Sequence, residues 1–172
     1  MKKLSLVSFF ILLFCSCKSN SPTTISSKIA ADSDCPKDGN CDISVNANKS
    51  LAIKTDEFGK LYYHLEDNKD TKVIVYSYNR TVPKGLQDGH YKEEIILEVA
   101  NSASSIHTSE FSSKATKVLF GRFCFCKGYT GYYTIQNGTL KMETKEKQQY
   151  FDFTFTVKEV PQIITHIAFS LK

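Results

Sequence analysis

The stretch "YFDFTFTV", residues 150–157, decides the fold. Phe151, Phe153, Phe155 and Val157 fall on one side of an extended chain, while Asp152, Thr154 and Thr156 fall on the other. A helix would scatter these aromatics around its circumference; a half-buried strand gathers them on one face. The same period of two runs outward in both directions. "QIITHIAFSLK", residues 162–172, places Ile163, Thr165, Ile167, Phe169 and Leu171 together. "HYKEEIILEVA", residues 90–100, groups Tyr91, Ile95, Leu97 and Val99 against Lys92, Glu94 and Glu98.

Further strand candidates are 43–53, 60–66, 71–80, 117–126, 129–136 and 139–144. Turn chemistry separates them: "DEFGK", "EDNKD", "VPKGLQDG" and "KEVP". Asn137-Gly138 in "QNGT" is the dipeptide most favoured for a two-residue type I′ hairpin, which needs positive φ at both positions. No window carries a helical stripe, and "SEFSSKATK", residues 109–117, offers one short helical turn at most. The expectation is an all-β fold, one antiparallel β-sandwich or barrel of roughly nine strands over residues 35–172.

The head of the chain follows different rules. "MKK" precedes an apolar run from Leu4 to Phe14 and then small or polar residues, the layout of a secretory signal, too short to span a bilayer permanently. Within it "FCSC", residues 14–17, resembles the lipobox of bacterial lipoproteins, with the small Ser16 before Cys17. The resemblance implies that residues 1–16 are removed and that Cys17 carries a diacylglycerol thioether and a further acyl chain such as palmitate. At about 0.8 kcal/mol per buried methylene, several chains anchor stably where one does not. Lys18 directly after the cysteine resembles lipoproteins sorted to the outer membrane, which implies a periplasm-facing, lipid-anchored protein of the bacterial cell envelope. Residues 17–34, poor in aromatics and rich in Ser, Thr, Asn and Asp, read as a lipidated flexible tether with a reach of roughly 20 to 25 Å.

Charge excludes one class of partner. Lysine and arginine number 22 against 18 acidic residues, for a net charge of +4. Loss of Lys2 and Lys3 with the signal lowers it to about +2, too balanced for a nucleic-acid binder.

Cys15 leaves with the signal and Cys17 is lipidated, so Cys35, Cys41, Cys124 and Cys126 remain. An even set in an exported chain points to disulfides. If "RFCFCK" is a strand, Cys124 and Cys126 share a face about 6.5 to 7 Å apart with parallel Cβ vectors, which makes them poor partners for each other. The expected pairing is therefore long-range, each cysteine of "CPKDGNC" meeting one of the strand pair, with both registers open. The competing reading is a thiolate site for zinc or Cu(I).

Nothing else forms a catalytic pattern. His64, His90, His107 and His166 lack metal-ligand spacing, Glu93 and Glu94 point to opposite faces, and no nucleophile motif or phosphate loop occurs. The sequons at Asn48, Asn79 and Asn137 carry no weight in a bacterial lipoprotein. Tyrosine is more suggestive, with Tyr62 and Tyr132 as the candidates for an aromatic surface that binds a protein or glycan. "GYYTIQNGTLKME", residues 131–143, also resembles a hairpin common in lipocalin-like and other small β-domains of bacterial lipoproteins, and implies a meander. The function expected is a non-enzymatic binding or structural module without cofactor. A metal carrier and a lipocalin-like binder of an apolar ligand are the rivals.

Overall fold

In a computed structural model the chain is described at residues 24–25, 35–111 and 116–171. Ten antiparallel strands and no helix make up the described part: β1 (Thr24–Ile25), β2 (Gly39–Thr55), β3 (Leu61–Arg80), β4 (Tyr91–Ala100), β5 (Ser105–Thr108), β6 (Val118–Cys124), β7 (Gly131–Thr134), β8 (Asn137–Lys145), β9 (Gln148–Thr156) and β10 (His166–Leu171). A six-stranded sheet runs β1-β2-β3-β4-β6-β7 and a four-stranded sheet runs β10-β9-β8-β5. Their facing sides share one core, so the fold is a β-sandwich.

The alternation in "YFDFTFTV" holds residue by residue. Phe151, Phe153 and Phe155 of β9 are buried while Asp152, Thr154 and Thr156 are exposed. Ile167, Phe169 and Leu171 of β10 join them from the same sheet, and Ile74, Tyr76, Ile95, Leu97, Val99 and Phe120 face them from the other. Phe151 stacks on Phe169 at 4.8 Å and Phe153 on Phe155 at 4.8 Å.

The larger sheet has a second buried side. β3 pairs with β4 along 71–79 and with β7 where Leu61 meets Tyr132, so the sheet closes on itself. Leu51, Val73, Val75, Ile96 and Leu119 fill the enclosed space, with Leu61, Tyr63 and Tyr132 around them. Glu94 and Glu98, expected on a solvated face, are consequently buried. Each is satisfied: Glu98 accepts from the Leu51 amide and Lys117 Nζ, and Glu94 pairs with Lys92.

Two turn readings are corrected. "EDNKD" is no turn but lies inside β3, where the β2 register shifts between Ala47 and Lys49 and Asn48 takes φ 56°. That bulge supplies the bend that lets one long hairpin serve both sides of the sheet. Asn137-Gly138 makes no hairpin, and the lipocalin-like hairpin falls with it: β7 ends in the larger sheet, β8 begins in the smaller, and Gly138 pairs with Phe155. A Cβ at Gly138 would lie 2.5 Å from the Thr154 carbonyl oxygen, so close strand approach is what requires glycine there. The two-residue hairpin is instead Glu146-Lys147, both at positive φ (50° and 66°), between the Lys145↔Gln148 pair.

Residues 1–23 and 26–34 lie outside the described residues, so the signal, Cys17 and most of the expected tether do as well. Within that expected tether, Thr24 and Ile25 pair with Asn46 and Val45 as an edge strand. The short helical turn expected near Ser109 falls partly on 112–115, also outside the described residues.

Candidate functional site

The four cysteines form two bridges, and neither is long-range. Cys35 joins Cys41 with Cα atoms 5.9 Å apart, and Cys124 joins Cys126 at 5.2 Å. The expected cross-pairing fails on topology: Cys41 sits on β2 and Cys124 on β6, with β3 and β4 between, a separation of about 14 Å at ordinary strand spacing. The geometric objection to a C-x-C bridge fails because β6 ends at Cys124. Cys126 already lies in the following turn, closed by a Tyr129 amide to Cys126 carbonyl hydrogen bond, and the extended spacing no longer applies. Chain-entropy estimates give about 2.5 kcal/mol for the Cys35–Cys41 loop and about 1.5 for Cys124–Cys126, far below a long-range bridge.

Between the two bridges, the larger sheet carries a polar cluster at one end. The register places Tyr78 opposite both Cys41 and Glu93, Glu93 opposite Arg122, and Tyr91 opposite Cys124. Tyr91 is its hub. The Arg80 guanidinium lies 4.6 Å from the Tyr91 ring centroid and that of Arg122 lies 5.2 Å away, so two cations bracket one ring. The Tyr91 hydroxyl donates to Glu93 and accepts from Arg122 Nε at 3.3 Å. Burial and the Glu93 carboxylate push the Tyr91 hydroxyl up to about 12.

Glu93 itself is fully buried. Its oxygens accept from the Ile163 amide at 2.7 Å and the Ile164 amide at 2.8 Å, which ties the larger sheet to the loop before β10. On the other side, Asp38, inside the Cys35–Cys41 loop, accepts from the Tyr78 hydroxyl at 2.7 Å and pairs with Arg80 Nε at 3.2 Å. The Tyr78 hydrogen bond, with Arg80 helping, holds the Asp38 carboxyl below its usual range. Gly39 lets this loop lie flat, since a Cβ there would sit 2.4 Å from the Asn79 carbonyl oxygen.

Arg122 completes the chain of contacts. Its Nη1 reaches Cys126 Sγ at 2.9 Å and the Tyr129 carbonyl oxygen at 2.9 Å. The cluster thus fixes a buried guanidinium against one sulfur of a partly exposed bridge. Chemically, it can hold negative charge on that sulfur.

The two nominated tyrosines do not make one platform. Tyr62 is 43% exposed, whereas Tyr132 turns to the enclosed side, edge-on to Tyr63 and Phe123 at 5.2 Å each. Burial raises the Tyr132 hydroxyl, and the nearby Glu94 adds to the effect. The histidines stay scattered: His64 pairs with Glu66 at 3.0 Å and His166 with Asp152 at 3.5 Å. Among the described residues no three His, Cys, Asp or Glu side chains gather as metal ligands.

Sequence reasoning missed Asp38, Arg80, Tyr91, Glu93 and Arg122. Arg122 had a legible signal, because two residues before Cys124 on a strand means the same face. Comparison with family models, curated proteins and solved structures returns no match for this chain.

Proposed function

We infer that this chain is an exported lipoprotein of a bacterial envelope, held by lipid on Cys17 and presenting its sandwich as a non-enzymatic binding or structural module. The observation that carries the reading is the pair of disulfides, which belong to an oxidising compartment. The lipobox-like "FCSC" behind an apolar run supports the anchor. The interior favours a module over a lipocalin-like container, because the space between the sheets is filled by Phe120, Phe153, Phe155, Leu97 and Leu140, each at most 1% exposed. The thiolate metal reading has less support, since the bridges engage all four sulfurs. Lys18 favours the outer membrane facing the periplasm, and the exposed Tyr62 remains the candidate contact for a protein or glycan.

The test is metabolic labelling with an alkyne fatty acid, followed by fractionation. The wild-type chain should carry label and sediment with outer membranes, and Cys17→Ala should lose both properties. An unlabelled wild-type chain that keeps Met1 would refute the anchor.

A further inference from the structure

The two bridges differ in their surroundings. Cys35 and Cys41 pack against the main core, with the acidic Asp38 between them in the loop. Cys124 and Cys126 enclose a single residue, Phe125, which is 81% exposed, and Lys127 follows. Closing so short a loop removes little chain entropy, so this bridge is a weak staple. Yet a buried arginine is stacked on Tyr91 and aimed at Cys126 Sγ from 2.9 Å. A guanidinium stabilises a thiolate, not the neutral sulfur of a bridge, and a low-pKa thiol is the faster leaving group in exchange.

We propose that Cys124–Cys126 is a thiol–disulfide exchange site that accepts two electrons from a dithiol polypeptide in the envelope. A thiolate of the partner attacks Cys124 Sγ and forms a mixed disulfide. The Cys124–Cys126 bond breaks, and its electron pair goes to Cys126 Sγ beside Arg122. The partner's second thiolate then attacks its own sulfur in the mixed disulfide and expels the Cys124 thiolate. The partner leaves as a disulfide, and the two thiols here take up the two protons it lost. In the reverse sequence the Cys124 thiolate attacks a partner disulfide, and the Cys126 thiolate then attacks Cys124 Sγ, re-forms the bridge and releases the partner as a dithiol. Exposed Phe125 and Tyr129 flank the sulfurs and suit an extended, partly apolar polypeptide. Tyr91 is a positioning residue, holding the guanidinium in place. This activity goes beyond a passive module and is independent of the anchor, so its test stands apart from the lipidation test.

The full chain, purified oxidised, is treated with dithiothreitol under native conditions, quenched with a maleimide, and mapped cysteine by cysteine. Cys124–Cys126 should open at least tenfold faster than Cys35–Cys41; equal rates, or the opposite order, overturn the proposal. Arg122→Gln should slow that opening fivefold or more while Arg122→Lys retains most of it. An unchanged rate in a folded Arg122→Gln variant also overturns it. Should Arg122→Gln not fold, the single-cysteine variants decide: Cys126 in Cys124→Ser should alkylate at lower pH than Cys124 in Cys126→Ser, and coincident pH profiles refute the role of Arg122. Finally, a reduced two-cysteine peptide mixed with equimolar oxidised protein should gain a disulfide as thiols appear at 124 and 126. A peptide that stays reduced excludes polypeptide exchange.

Discussion

Glu93 shows how one side chain can join two layers. Fully buried, it satisfies three donors: the Tyr91 hydroxyl and the Ile163 and Ile164 amides. Removing it strands two backbone amides in a dry interior, at about 1 to 3 kcal/mol each. Glu93→Ala should therefore lose about 3 kcal/mol in urea denaturation, well beyond an exposed Glu57→Ala control. Tyr91 makes a pH-dependent contribution of definite sign. Its hydroxyl titrates near 12 in the fold against 10 ordinarily, so the folded state holds that proton more tightly. The associated stability is present below pH 10 and lost as pH rises from 10 to 12. Tyr91→Phe should lose about 1 kcal/mol at pH 7. Between pH 10 and 12 it should then decline less steeply than wild type, as followed by denaturant midpoints.

At the level of elements, the hairpin between β8 and β9 is built against its own sequence. Glu146 and Lys147 both occupy the left-handed region, which costs an L-residue about 1 to 2 kcal/mol. The dipeptide suited to it, Asn-Gly, stands earlier at 137–138 in ordinary strand geometry. Replacing Glu146→Asn with Lys147→Gly should raise stability by about 1 kcal/mol, read as a higher thermal midpoint. This exchange marks the limit of legibility. Alternation located β4, β9 and β10 because each buries one face against the facing sheet. It split β3 in two, since the polar run Glu66–Asp70 looks like a loop but is the exposed outer part of a bent hairpin. It placed Glu94 and Glu98 in water, because only the closure of β3 onto β7 covers that face. It also missed β5, a four-residue edge strand whose pattern is too brief to show a period. The site was half legible: the cysteines were visible, but their pairing follows from where β6 stops, and the Tyr91 hub forms only across adjacent strands.

For the molecule as a whole, stability rests on burial more than on its bridges. The main core draws Phe153 from the smaller sheet and Leu97 from the larger into one dry layer, both fully buried. Phe153 stacks on Phe155 and meets Phe111 edge-on at 5.2 Å, so its loss opens a cavity that neither rigid sheet can collapse to fill. Phe153→Ala should cost about 3 to 5 kcal/mol. Opening Cys35–Cys41 with paired serine substitutions should cost about 2.5 kcal/mol, and opening Cys124–Cys126 about 1.5 or less, because both loops are short. The three variants, compared by calorimetry, should therefore rank Phe153→Ala below the Cys35/Cys41 pair and the Cys124/Cys126 pair closest to wild type. If loss of Cys124–Cys126 were instead the most damaging, that bridge would be the principal staple. It could not then open and close in exchange without unfolding the sandwich, whereas a small cost leaves it free to cycle on a fold that the packed sheets sustain.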